Sequence, residues 1–197
     1  MVLQKKGLIF VVSGPSGSGK TTLIRRLLSS RRLNYALAKS VSFTTRPKRS
    51  GEKEGQDYFF LSEKGFRQKL KAKKILEWTR YLGYYYATPK DLVDDYLNQG
   101  RYLILCLDVR GAWRIKRIYP KNTITIFILP PSLEALRKRI TKRSSKAKAK
   151  ELTLRLNLAK KELLAAKQYD HCLVNKNLPG AVKRLHRIIF HKIKQTE

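Results

Sequence analysis

Three groups of residues in this chain have the types and spacing for phosphate chemistry. The first is Gly14-x-x-x-x-Gly19-Lys20-Thr21. Glycines at this spacing let backbone N–H groups curl around phosphate oxygens, and a helix opening there points its positive end at them. Lys20 supplies a mobile cation for β- and γ-phosphates, and Thr21 a hydroxyl for Mg²⁺. Gly14, Ser16, Gly17, Ser18, Gly19, Lys20, Thr21 and Thr22 are thus the expected triphosphate-binding residues. The loop leaves the phosphate acceptor open, and a hydrolytic switch or motor could carry it equally well. The second group is Arg46 and Arg49, three apart in a turn-rich stretch, so that both can fork onto one phosphate. The third is a pair of carboxylates set in apolar runs, Glu77 within Ile75–Trp78 and Asp108 closing Leu105–Asp108. They stand out because 44 Lys and Arg face only 14 Asp and Glu in 197 residues. The plainer alternatives are solvated turn arginines, a surface acid beside Trp78 and a buried structural aspartate.

These groups need elements to hold them. Leu8–Val12 is a β-branched apolar run of core-strand type, and Leu23, Ile24, Leu27 and Leu28 give the helix after the loop. Arg31–Asn34 reads as a loop and Ala38–Thr45 as extended chain. Asp57–Leu61 is a short strand, and Ser62 caps a helix with Phe66, Leu70 and Ile75 on its apolar side. Glu77–Thr88 is aromatic and β-leaning. Leu92–Leu97 is helical. Tyr102–Val109 is a buried strand ending at Gly111, and Thr123–Leu129 is another. Ser132–Arg143 is a helix with Leu133, Leu136 and Ile140 inward. Ser144–Lys150 has no apolar anchor and reads as mobile. Leu152–Lys167 is helical, His171–Val174 a short strand, and residues 179–194 a basic closing helix. Alternating strands and helices predict an α/β fold with a mostly parallel sheet covered on both faces. Residues 1–41 and 89–197 are expected to form its core, with 42–88 as an inserted, mostly β lobe and 142–155 as a helical lid.

Composition narrows the class. No apolar run approaches the roughly 20 residues of a membrane span, and Leu8–Val12 is too short for a secretory signal. Cys106 and Cys172 sit in apolar surroundings and read as buried free thiols, which implies a reducing, cytoplasmic location. No His/Cys cluster has zinc spacing, and His171, His186 and His191 read as surface or packing residues. A net charge of +30 suits an anionic substrate and predicts non-specific nucleic-acid affinity at low salt.

Four blocks, in order, resemble the guanylate kinases: Ser13–Thr22, Val41–Glu52, Ile75–Trp78 with Tyr85–Thr88, and Arg155–Leu163 with its Ala159 and Glu162. The likeness covers nearly the whole chain, and the second block is highly specific. It implies a P-loop kinase moving the γ-phosphoryl of ATP to GMP with Mg²⁺, in purine nucleotide metabolism, as a monomer or homodimer. A carboxylate at Glu77 would accept from guanine N1–H and N2–H₂ together, which adenine cannot offer. By resemblance Ser42 and Thr88 serve the base, and Tyr58 and Tyr86 join Arg46 and Arg49 on the GMP phosphate. Asp108 lies on the GMP side, acting through water on Mg²⁺ or orienting an arginine. Lys20, Arg46, Arg139 and Arg155 are the implied catalytic cations, with Arg143 and Asn175 toward adenine.

The sequence departs from the pattern in three places. Cys106 stands where an acid is frequent, Ala87 follows Tyr86 where glycine is usual, and the lid is one residue longer and lysine-rich. Three rival readings remain. A related kinase of a ribose bisphosphate would not need Glu77. A scaffold domain of the same fold would not need Lys20 and Thr21. A basic nucleic-acid-binding protein of this fold would need a recognition signature beyond charge.

Overall fold

Strand β1 (Leu8–Ser13) is buried along its whole length, as its unbroken apolar run requires. The computed structural model describes residues 7–29, 37–143 and 149–196, with backbone alone at 143 and 149–152. After β1 come α1 (Lys20–Leu28), β2 (Leu37–Lys39), β3 (Ser42–Thr44), β4 (Tyr58–Phe60), α2 (Glu63–Lys71), β5 (Ile75–Tyr81) and β6 (Tyr84–Pro89). Then follow α3 (Lys90–Asn98), β7 (Tyr102–Cys106), α4 (Val109–Ile118), β8 (Thr123–Leu129), α5 (Leu133–Arg143), α6 (Ala149–Leu164), β9 (His171–Val174) and α7 (Leu178–Lys194).

Five strands form one sheet in the order β2-β7-β1-β8-β9, every pair parallel. Alternation along β1 divides the core. Leu8, Phe10 and Val12 meet α1 and α7, while Ile9 and Val11 meet α3 and α4. The chain leaves β1 toward β2 and β7, then returns past it to β8 and β9. This reversal of direction puts a ligand crevice at the carboxyl end of β1, where Gly14–Gly19 lies.

A second sheet, β4-β3-β6-β5, has one parallel and two antiparallel pairs. Its β5–β6 hairpin closes through Leu82 (φ 51°) and Gly83 (φ 88°), the two left-handed residues of a tight turn. A register shift between Ile75 and Glu77 breaks the in–out alternation of β5, so consecutive Leu76 and Glu77 are both buried.

Several sequence expectations change. Val109 and Gly111 belong to α4, not to the end of a strand. Asp108 caps that helix by accepting from the Gly111 amide at 2.8 Å. Ile75 starts β5 rather than ending α2, because the helix stops at Lys71. Leu133 is 54% exposed, while Leu136 and Ile140 face inward as expected. Cys106 is half-buried at the end of β7 and Cys172 is exposed on the edge strand β9, so the expectation of two buried thiols fails. Helix α6 begins at Ala149, three residues early. Arg31–Asn34, residues 144–148 of the lid and the Arg143 side chain lie outside the described residues.

Candidate active site

The loop between β1 and α1 is shaped by positions that accept no side chain. Gly14, Gly17 and Gly19 have φ of 137°, 84° and 94°. A Cβ on Gly14 would lie 2.4 Å from the Ile128 carbonyl oxygen, and one on Gly19 2.4 Å from Asn175 Nδ2. On Gly17 it would strike Ile140 of α5 at 2.9 Å. The loop is thus clamped between β8, α5 and the start of the β9–α7 connection. Asn175 fastens it by donating from Nδ2 to the Ser18 carbonyl at 2.8 Å. The Ser18 hydroxyl is buried with no hydrogen-bond partner among the described residues. Lys20 Nζ folds back to donate to the carbonyls of Gly14 and Pro15. Thr21 and Thr22 are exposed on the first turn of α1.

Two further residues approach this loop. Arg139, on the α5 face that covers Gly17, donates to the Asn175 carbonyl at 3.3 Å. Arg155 is half-buried on α6, where its charge acts on Tyr81 at the end of β5. Burial raises the Tyr81 hydroxyl, and Ser16 and Arg155 pull it back. The Tyr81 hydroxyl is itself buried with no hydrogen-bond partner among the described residues.

The second sheet gathers the other expected residues in two clusters. In one, Arg46 is only 7% exposed and donates to Glu52 Oε1 at 2.7 Å and to the Pro47 carbonyl at 2.6 Å. Its guanidinium lies over the Tyr58 ring, 5.4 Å from the centroid, and Tyr86 packs edge-on to Tyr58 at 6.0 Å. Burial, together with Cys106 and Tyr86, pushes the Tyr58 hydroxyl to about 12, against the opposing charge of Arg46. Burial would raise the Glu52 carboxyl, but hydrogen bonds from Arg46 and the Arg49 amide bring it below its ordinary value. Arg49 meets Glu52 through its backbone at 2.8 Å, and its side chain is exposed. Glu52 thus ties the Arg46 side chain to the Arg49 backbone.

The other cluster centres on Glu77, 7% exposed, whose Oε1 accepts from the Thr88 hydroxyl at 2.5 Å. Thr88 lies directly across from it in the β5–β6 register. Helix α4 packs against β5 so closely that a Cβ on Gly111 would stand 2.6 Å from Glu77 Oε2 and 3.3 Å from Asp108 Oδ1. Burial raises the Glu77 carboxyl to about 7. The Thr88 hydrogen bond opposes this, and the Asp108 charge adds to it. Ser42 is half-buried at the start of the inner strand β3, paired in register with Tyr58.

Sequence reasoning gave no role to Glu162, Gly111 or Tyr81. Burial raises the Glu162 carboxyl on α6 to about 7, opposed by the charge of Lys20 and reinforced by Asp108. Glu162 therefore sits in the field of the phosphate loop. The scarcity of acids that exposed Glu77 applied to it too, but its lysine-rich helix concealed it.

Fold and loop together define a phosphate-loop α/β kinase with a second sheet between β2 and α3. A family model described as guanylate kinase matches residues 6–192. Guanylate kinase of Thermotoga maritima is 41% identical over 184 residues, spanning 93% of this chain and 86% of that one. That of Trichodesmium erythraeum is 40% identical over 188 residues, spanning 95% and 98%. The crystal structure of guanylate kinase from Anaplasma phagocytophilum superposes with a TM-score of 0.79 at 30% identity, over 98% of this chain and 89% of that one. The chain belongs to the guanylate kinase family.

Proposed function

We propose that this chain transfers the γ-phosphoryl group of ATP to GMP, giving ADP and GDP. The observation that carries the acceptor is Glu77, a buried carboxylate with one oxygen on Thr88 and the other against a glycine. A guanine edge offers two adjacent N–H donors to such a group, whereas adenine would set an acceptor against it and leave the carboxylate unpaired. A ribose bisphosphate would give Glu77 no task.

The remaining residues divide by charge. Arg46, held on Tyr58 by Glu52, and Arg49 would receive the GMP phosphate with Tyr58 and Tyr86. Ser42 and Thr88 would face the base, and Asp108 would orient groups between base and phosphate. The amides of Gly14–Gly19 would cradle the ATP phosphates, and Lys20 would turn from the loop carbonyls onto them. Arg139 and Arg155 would meet the charge that grows on the transferring group as a GMP phosphate oxygen attacks and the bond to the β-phosphate oxygen breaks. Arg143 and Asn175 would lie toward adenine. The exposed Thr21 hydroxyl would hold Mg²⁺ together with phosphates and water, and the ion would neutralise phosphate charge. Closure of segment 142–155 would exclude water, so that GMP and not water receives the phosphoryl group. Both cysteines are free, which accords with a cytoplasmic enzyme. No described helix is long and apolar enough to cross a membrane.

Chromatography of ADP and GDP after mixing the protein with ATP, Mg²⁺ and GMP tests the reading. GDP should form mole for mole with ADP, and AMP in place of GMP should turn over at least roughly a thousandfold less efficiently. Equal use of AMP, or no GDP, would overturn it.

A further inference from the structure

The excess positive charge is unevenly distributed, and the sheet separates it. One face is covered by α1 and α7, which pack on each other and on the same core cluster. Neither helix contains an Asp or Glu. Arg25, Arg26, Lys183, Arg184, Arg187 and Lys194 are all exposed on them. Among the described residues every ion pair lies on other elements, as in Lys74–Asp91, Lys90–Asp94 and Lys116–Asp170. The opposite face carries Asp91, Asp94 and Asp95 on α3. On that opposite face the acid-free α4 also exposes Arg110, Arg114 and Arg117, so what sets the α1/α7 face apart is that neither of its two helices carries an acid.

We propose that the α1/α7 face docks a nucleic-acid phosphate backbone. Lys183, Arg187 and Lys194 follow at intervals of four and seven, so they form one stripe along α7. At 1.5 Å per residue that stripe is about 16 Å long, the rise of about five nucleotides at 3.4 Å each. No large exposed hydrophobic residue lies on α1 or α7. The face therefore lacks the exposed apolar anchors of a membrane-surface helix, and the half-buried Phe190 ring, stacked on His186 and covered by Lys194 Nζ at 5.1 Å from its centroid, offers no open platform for a base. Cations on rigid helices without either feature favour contact with phosphates and predict little base preference. The site for phosphoryl transfer takes only the first turn of α1, with Lys20 and Thr21, whereas Arg25 and Arg26 stand in its last turn, so docking and catalysis are separable.

The test measures binding of a fluorescent 20-mer of oligouridylate across a salt series. It compares the intact chain with two variants of equal charge loss. One is Arg25→Gln, Arg184→Gln, Arg187→Gln, Lys194→Gln on the proposed face. The other is Lys64→Gln, Lys71→Gln, Arg114→Gln, Lys121→Gln on exposed positions elsewhere. If all four face cations meet phosphates, the slope of log affinity against log salt should fall by roughly 3 in the first variant and by less than about 1 in the second. GMP phosphorylation by both should match the intact chain, which shows that they are folded. Equal loss in the two variants would overturn the proposal, as would no measurable binding by the intact chain at low salt. Tighter binding to phosphatidylserine vesicles than to the oligonucleotide at the same salt would also overturn it in favour of a membrane.

Discussion

At the scale of single residues, Glu77 is held in a charge state that its ligand must shift. Its carboxyl is raised to about 7 from 4.5, chiefly by burial. The protonated form is thus favoured in the fold, and the resulting stability is full below about pH 4.5 and lost as pH rises through 7. Glu77→Gln should therefore match the intact chain in thermal stability at pH 5 and exceed it at pH 8. The shift corresponds to roughly 3 kcal/mol, and denaturation at the two pH values measures the difference. A guanine edge needs the ionised carboxylate, so GMP affinity should rise about tenfold from pH 6 to 8. The nucleotide phosphate also titrates near pH 6, and the Gln variant isolates that contribution. Gly111 offers a second test, because a Cβ there would stand 2.6 Å from Glu77 Oε2. Alanine favours a helix over glycine by about 1 kcal/mol, yet Gly111→Ala should raise KM for GMP by roughly ten- to a hundredfold through misplacing Glu77. KM for ATP should not change.

At the scale of elements, the phosphate loop is legible because its glycine spacing follows directly from backbone geometry. What holds the loop in place is not legible. Asn175 is 157 positions from Ser18, and nothing in its local sequence shows that its amide fastens the Ser18 carbonyl. Asn175→Ala should leave that carbonyl unpaired and destabilise the fold by about 1–3 kcal/mol. It should also raise KM for ATP while sparing GMP binding, as initial-rate kinetics with each substrate varied would show. Helix α4 is concealed in the sequence because Leu107 and Val109 carry the apolar run of β7 past Asp108, and Gly111 looks like a stop signal. Its glycine is needed for close packing against Glu77, and that reason becomes visible only when β5 lies beside it. The burial of Glu77 was legible because acids are rare in this chain. The bulge that turns Leu76 and Glu77 to the same side was not, because a period-two pattern carries no sign of one extra residue.

At the scale of the whole molecule, two sheets divide the work. The parallel sheet is closed on one face by α7, whose Leu185, Ile189 and Ile193 are fully buried in the same cluster as Phe10 and Leu27. Ile189→Ala should cost about 2–5 kcal/mol in denaturant unfolding without changing the ratio of GMP to AMP use, since α7 supports the sheet and not the base pocket. Acid should act in the opposite sense to Glu77. Burial would raise Asp170 and Asp94, but hydrogen bonds to Asp170 from Thr125 and Lys116, and to Asp94 from Lys90 and Tyr119, bring both below their ordinary values. Their contribution to stability is present above about pH 4 and is lost as pH falls through their folded values.

The central claim is that a buried carboxylate on β5 selects guanine. The most direct measurement is kcat/KM for GMP and for AMP, with ATP saturating, in the intact chain and in Glu77→Gln. The substitution should lower the GMP value by at least roughly a thousandfold, leave KM for ATP unchanged and narrow the gap between the two nucleotides. A Gln variant that keeps its full preference for GMP would contradict the claim.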